Sequence, residues 1–179
     1  MLDKINKRVV LAGGPSTGKT SIINKLKSKN FCCFDEAARE ILDKFKLKGL
    51  EFKNNPHEIS KEIFIKRDID YNKANLLKCK KNIVFYDRGI HEITAYLNSI
   101  NMSSDYWNNL PKKYIYELIF IFNPWEEIYT KDENRIENFS DAKKISPFIH
   151  RVYEESGINL IEVPNIGINE RINFILKNT

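Results

Sequence analysis

Short apolar runs alternate with longer segments whose apolar residues recur at helical spacing. Arg8 to Ala12 is apolar and ends in glycines, which predicts a buried strand leading into a loop. In Lys19 to Lys29 the residues Ile22, Ile23 and Leu26 share one helical face. FCCF at 31–34 predicts a second strand, followed by the helical DEAAREILDKF, and Pro56 precedes a long charged helix over 57–79. NIVFYD at 82–87 is a third strand with a helix, GIHEITAYLNSI, behind it; YIYELIFIF at 114–122 is a fourth, closed by Asn123-Pro124. In SPFIHRVYEESG, Ser146 reads as an N-cap, Pro147 as the first helical residue and Gly157 as the stop. NLIEVP and INERINFILKN supply a fifth strand and a last helix. Strands that are apolar throughout and alternate with helices predict an α/β fold, a parallel sheet of about five strands covered on both faces, in a three-layer sandwich. With no repeat and no linker, residues 1–179 are expected to form a single domain.

The composition narrows the partners. No apolar run is long enough to span a bilayer, and MLDKINKRVVLAGG runs into the glycine loop without the apolar stretch of a secretory leader. The three cysteines, Cys32, Cys33 and Cys79, show no C-x-x-C spacing and are expected to be reduced thiols in a cytoplasmic protein. The net charge of +5 comes from 22 lysines scattered along a chain that also holds 20 asparagines. A composition of that kind follows from an AT-rich genome, so a nucleic-acid partner is not expected. Arginine is scarce, with seven residues, and Arg39, Arg88 and Arg135 fall inside motifs. His57, His91 and His150 have no metal-ligand spacing and are assigned structural or surface roles. Tyr71, Tyr96, Trp107 and Trp125 are aromatic surfaces for a base or for packing.

The strongest chemical signal is GGPSTGKTS, Gly13-Gly14-Pro15-Ser16-Thr17-Gly18-Lys19-Thr20-Ser21. A strand before it and a helix after it are the setting in which G-x-x-x-x-G-K-[ST] binds phosphate. Glycines let backbone N–H groups turn inward, and the helix adds its positive end. Lys19 is expected on the β- and γ-phosphates and Thr20 on Mg²⁺, with ATP or GTP as the nucleotide. Asp87, ending the third strand, has the position of a carboxylate beside that Mg²⁺, and Arg88 follows it. After the second strand, Asp35 and Glu36 are acceptor-side candidates, with Arg39 three residues beyond Glu36 and on its face. Residues 123–146 are expected to form a charged lid carrying Lys131, Asp132, Glu133, Arg135 and Glu137.

GGPSTGKTS, EAAREI, YDRG, PWEEIYTKDENRIENF and YEESGINLIEVP, in this order, resemble the small AAA-domain family of P-loop ATPases related to NadR-type ribosylnicotinamide kinases. The TRPL translocation defect protein, proposed to bind GTP, is a further relative of that family. The resemblance implies a nucleotide-kinase-like fold, nucleotide phosphates on Gly13, Gly18, Lys19 and Thr20, and an acceptor facing Glu36 and Arg39. It also implies that Asp132 and Arg135 form the Asp-x-x-Arg of the lid, whose arginine closes over the phosphates. Two features depart from the family: Arg88-Gly89 stands where NadR-type kinases carry acids, and the lid is longer and more charged. DRGIHEITAYL is instead similar to the Asp-Arg motif of thymidylate and deoxynucleoside kinases.

Two function classes follow. The first is a Mg²⁺-dependent kinase transferring a γ-phosphate to a small nucleoside- or nucleotide-like acceptor, with Lys19, Glu36, Asp87, Arg88 and Arg135 as its catalytic groups and the helix around Ile63 to Asn75 walling the acceptor pocket. The second is a nucleotide switch or slow NTPase working through a protein partner. Against the second, TKDE at 130–133 lacks the final aspartate of a guanine-reading motif, and no Asp-x-x-Gly follows the third strand.

Overall fold

The computed structural model describes residues 6–128 and 139–179. Strand β1 (Lys7–Gly13) is buried from Arg8 onward because other strands flank both its edges and helices cover both its faces. The remaining strands are β2 (Cys32–Phe34), β3 (Ile83–Asp87), β4 (Leu118–Phe122) and β5 (Leu160–Glu162). All pair in parallel, in the order β2-β3-β1-β4-β5, as the apolar runs predict. The chain passes from β1 to β2 on one side and from β3 across β1 to β4 on the other, so a crevice opens at the carboxyl end of β1. Leu11 is in register with Asp87 and Gly13 with Phe122, which brings the end of β3 level with the loop after β1.

Successive β1 side chains alternate between two cores. Val9 and Leu11 pack with Ile22, Ile23 and Leu26 of α1 (Lys19–Ser28) and with Ile172 and Ile175 of α7 (Ile168–Lys177). Val10 and Ala12 face α4 (His91–Ser99) and α6 (Phe139–Glu155), through Ala95, Ile145, Ile149 and Tyr153. A third cluster lies beyond the β2 and β3 side of the sheet. It joins α2 (Ala37–Leu47), α3 (Pro56–Lys73), α4 and the short α5 (Asp105–Asn109) through Phe45, Ile59, Ile63, Ile93, Leu97 and Trp107.

Four local readings are corrected. Pro147 does not begin a helix but lies inside α6, which starts at Phe139. Its ring and Lys143, four residues earlier, are both exposed, so the carbonyl that Pro147 leaves unbonded is on the solvent side. Helix α3 ends at Lys73, not 79; Lys81 and Asn82 then take left-handed φ of 57° and 53° to swing the chain into β3. β4 begins at Leu118, not 114, because the Glu117 carboxylate accepts from the Arg8 N–H at 2.6 Å, where a backbone carbonyl would continue the ladder. Finally, Cys32 and Cys79 are joined in a disulfide, with Cα atoms 5.6 Å apart, and Cys33 is the free thiol. The pairing spans 47 residues and depends on the turn into β3, which no local spacing reveals. The cysteines therefore give no argument for a reducing compartment. No helix among the described residues is long and apolar enough to cross a membrane.

His91 is fully buried between α4 and α6, stacked on Tyr153 at 4.9 Å, with no hydrogen-bond partner for either ring nitrogen. Burial pushes its pKa down from 6.5 to about 4. The unfolded chain therefore binds more protons between those values. His91 contributes stability that is complete above pH 6.5 and is lost as pH falls towards 4, about 3 kcal/mol in all. Denaturant titrations of wild type and His91→Phe from pH 4 to 8 should differ by that amount in slope-integrated stability; parallel curves would refute it.

Candidate active site at the carboxyl ends of β1, β2 and β3

The loop after β1 has the backbone its glycines allow. Gly13 adopts φ of +136°, and a Cβ there would lie 2.4 Å from the Phe122 carbonyl oxygen. Gly18 (φ +86°) precedes α1 without a side-chain cap, so the first N–H groups of α1 are left for a ligand. Lys19 is buried beneath the loop, where its Nζ donates to the Gly14 carbonyl at 2.5 Å and to Thr17 Oγ1 at 2.9 Å. Burial first, then the Arg88 charge, lowers its pKa to about 7 against the pull of Asp87. Thr20 Oγ1 donates to Asp87 Oδ2 at 2.9 Å, and burial of Asp87, reinforced by Glu36, pushes that carboxyl above its usual range.

Beside this pair lies a buried ionic cluster. Glu36 N-caps α2, accepting from the Ala38 N–H at 3.0 Å. The same carboxylate takes Arg67 Nη2 at 2.8 Å and forms an ion pair with Arg88 Nε. Arg88 Nη1 reaches Glu92 at 2.7 Å, and Arg67 Nη1 donates to the Gly89 carbonyl at 2.7 Å. Burial works against the Glu36 charge, yet Arg88 and Arg67 hold its pKa below the usual carboxylate value. Glu92, more enclosed, is pushed up by burial against the same two arginines. The turn that aims Arg88 is unusual: its φ is +74°, and its N–H bonds the Leu11 carbonyl at 3.1 Å. Gly89 follows because a Cβ there would meet the Tyr153 hydroxyl at 2.6 Å. The departure Arg88-Gly89 is thus built into the packing of α4 on α6.

A separate cavity of about 290 Å³ opens on the other side of the loop, lined by Ser16, Gly18, Ser21, Trp125, Ile166 and Arg171 among others. A second, shallower hollow of about 400 Å³ lies over Pro124, Lys143 and His150, away from the ionic cluster.

Of the expected site residues, the structure brings Lys19, Thr20, Glu36, Asp87 and Arg88 together. Asp35 is exposed and bonds Lys27 at 2.6 Å. Arg39 is also exposed; it has no polar partner among the described residues, and Glu36 faces Arg67 instead. Asp132 and Arg135, with residues 129–138 of the expected lid, lie outside the described residues, while Phe139 to Ser146 form the first turns of α6. Sequence reasoning missed Arg67, Glu92 and Arg171. Arg67 had one available signal: it is one of seven arginines and sits in the helix expected to wall the acceptor pocket. His57 is exposed, and His150 bonds Asn123 at 3.0 Å.

Residues 8–171 match an AAA domain family. The chain belongs to that family. No curated protein matches the sequence. In fold, this AAA domain is similar to deoxyadenosine kinase from M. mycoides with bound dATP, at 13% identity and a TM-score of 0.74 over 97% of this chain and 98% of that one. It is similar to the NadR protein in complex with NAD and AMP-PNP, at 16% identity and TM-score 0.74, spanning 97% of this chain but 49% of NadR. It is also similar to thymidylate kinase from Ehrlichia chaffeensis, at 15% identity and TM-score 0.64 over 98% and 99% of the two chains. The expected sheet and layers are those of the deoxyadenosine and thymidylate kinases.

Removing the Arg67 guanidinium leaves Glu36 with Arg88 as its remaining ion-pair partner among the described residues, in a site where its charge is costly. Arg67→Met should therefore lower unfolding stability by about 3 kcal/mol or more. Urea denaturation at pH 7 checks this; a loss under about 1 kcal/mol would mean that Glu36 is solvated in solution.

Proposed function

We propose that this AAA domain is a magnesium-dependent kinase that transfers the γ-phosphate of ATP to a hydroxyl of a small nucleoside- or nucleotide-like acceptor. The observation that carries the reading is the adjacency of an uncapped phosphate loop with its buried lysine, the Thr20–Asp87 pair and an ionised Glu36 at the same strand ends. A lobe, α2 to α5, with its own hydrophobic cluster behind this carboxylate supports an acceptor site there.

Lys19 leaves the Gly14 carbonyl and Thr17 for the β- and γ-phosphates, beside the loop and α1 N–H groups. Thr20 and Asp87 offer a hydroxyl and a carboxylate, oxygen donors that suit Mg²⁺. No group of three His, Cys, Asp or Glu side chains among the described residues is placed for a metal, which fits an ion whose other ligands are phosphate oxygens and water. When bound, the ion supplies charge neutralisation on the phosphates. Glu36 orients the acceptor hydroxyl and accepts its hydrogen bond. With its pKa held down it is a weak base, which suffices because the loose transition state of phosphoryl transfer needs the proton removed late. Arg88, paired with Glu36 and Glu92, would offset charge on the transferred phosphoryl group, and Arg135 is assigned the same role from the family resemblance. We assign no step to Asp35 or Arg39.

The direct test is purified protein with Mg²⁺ and γ-labelled ATP or GTP against a panel of nucleosides, nucleoside monophosphates and nicotinamide riboside. Label should reach one acceptor, vanish in Lys19→Ala and fall about a hundredfold in Glu36→Gln. Release of free phosphate alone, whatever the acceptor, would reject the kinase in favour of an NTPase or switch. Full transfer by Glu36→Gln would remove Glu36 from the mechanism.

The Lys19 pKa makes a second prediction. At pH 7 the free protein carries it half protonated, and polyphosphate binding completes its charge. Calorimetry of nucleotide binding in buffers of different ionisation enthalpy should show uptake of about half a proton at pH 7, rising towards one at pH 8 and vanishing near pH 6. Uptake that persists in Lys19→Met would assign it to another group.

A further inference from the structure

Arg171, near the start of α7, differs from the other buried arginines of the site. Arg67 and Arg88 each face carboxylates. Arg171 is 3% exposed and, among the described residues, faces none. Its three polar partners are neutral oxygens: Nε donates to the Pro164 carbonyl, Nη1 to the Thr17 carbonyl and Nη2 to Asn165 Oδ1, each at 3.0 Å. The guanidinium also lies 4.6 Å from the Trp125 ring and 5.6 Å from Phe122. These contacts use three of its five N–H groups and supply no counter-charge. Burial accordingly lowers its pKa. A buried cation without an anion is costly, so its place in the fold matters.

That place is directly behind the phosphate loop. The Thr17 carbonyl that takes Arg171 Nη1 belongs to the same planar peptide as the Gly18 N–H, at the cap of α1. A cation on the carbonyl end of a peptide polarises the N–H at its other end and strengthens it as a donor. Gly18 is close enough that a Cβ on it would sit 3.2 Å from Arg171 Nη1. Arg171 also holds Pro164 and Asn165, in the turn between β5 and α7, against the loop.

We propose that Arg171 is a positioning residue for polyphosphate binding: it fixes and polarises the Thr17–Gly18 peptide from behind, and the phosphates of the bound nucleotide complete its charge. The proposal rests on the nucleotide-binding reading above. Arg171 also lines the neighbouring cavity with Trp125 and Ile166, so a simpler role as the floor of a base pocket has to be separated from this one.

Inorganic tripolyphosphate with Mg²⁺ makes the separation, because it has no base. Calorimetric titrations of the full chain with tripolyphosphate and with ATP would compare wild type, Arg171→Lys, Arg171→Met and Lys19→Ala, each with its unfolding midpoint. Arg171→Met should weaken tripolyphosphate and ATP alike, by roughly tenfold, and Arg171→Lys should restore most of the loss by restoring the charge. If Arg171→Met does not fold, Arg171→Gln, which keeps an amide donor for Thr17 without the charge, takes its place. Weakened ATP binding with unchanged tripolyphosphate binding would overturn the proposal and leave the base-pocket role. Equal losses in the lysine and neutral variants would also overturn it, as a matter of shape and not of charge. Failure of wild type to bind either ligand, or no loss in Lys19→Ala, would instead strike the nucleotide reading itself, and this proposal with it.

Discussion

Glu36 holds two guanidinium groups on one carboxylate, and much of the acceptor side hangs on that arrangement. Arg67 arrives from the middle of α3 and Arg88 from the turn after β3, while Glu36 itself caps α2. Three elements distant in sequence are therefore tied at one point, and each partner is costly to bury without the others. Hydrophobic contact alone leaves α2 and α3 free to slide over their shared cluster of Phe45, Ile59 and Ile63. The directional bonds to Glu36, and the one from Arg67 to the Gly89 carbonyl, remove that freedom. The same bonds that give the lobe its position keep Glu36 ionised, so structure and reactivity have one cause.

The nucleotide side is built on a different principle. Gly13 and Gly18 take positive φ, and Gly13 allows an approach to Phe122 that no Cβ permits, so the loop is shaped by backbone and needs few side chains. Arg88, with its own positive φ, shows the opposite case: a non-glycine residue accepts a left-handed backbone because Leu11, Glu36 and Glu92 together fix where it points. That local cost lies at the end of the third strand, where the Arg88 N–H bonds Leu11 of β1 and its guanidinium reaches Glu36 and Glu92.

This contrast explains what could be read in advance. The sheet was legible because each of its apolar runs is local, and the phosphate loop because its glycines and lysine are contiguous. Asp87 and Glu36 were legible as residues ending strands. The pairing of Arg67 with Glu36 is not legible, because 31 residues separate them and Arg39, at helical spacing, is the nearer candidate. Glu36 turned out to cap the helix, not to sit within it, which changes the face it presents. Arg171 was hidden for the same reason: its bond to Thr17 crosses 154 residues, and nothing in INERINFILKN marks its arginine as different from a surface one. The disulfide depends on the turn at Lys81 and Asn82, just after Cys79, a tertiary feature that no cysteine spacing marks.

The separation of cores has a functional corollary. The donor side is braced by β1, α1 and α7 through one hydrophobic cluster, whereas α2, α3 and α5 share another whose members scarcely touch the sheet. Phe52 and Phe64, for example, pack in the second cluster and share no core contact with the residues that brace the phosphate loop. Among the polar links between the sides are Arg88 and the Thr20–Asp87 pair, which run through β3. A fold divided in this way can keep one way of holding a nucleotide while the acceptor changes. On the kinase reading proposed above, the contiguous phosphate loop is the part of the site fixed by local sequence, and the acceptor is the part to be found by assay.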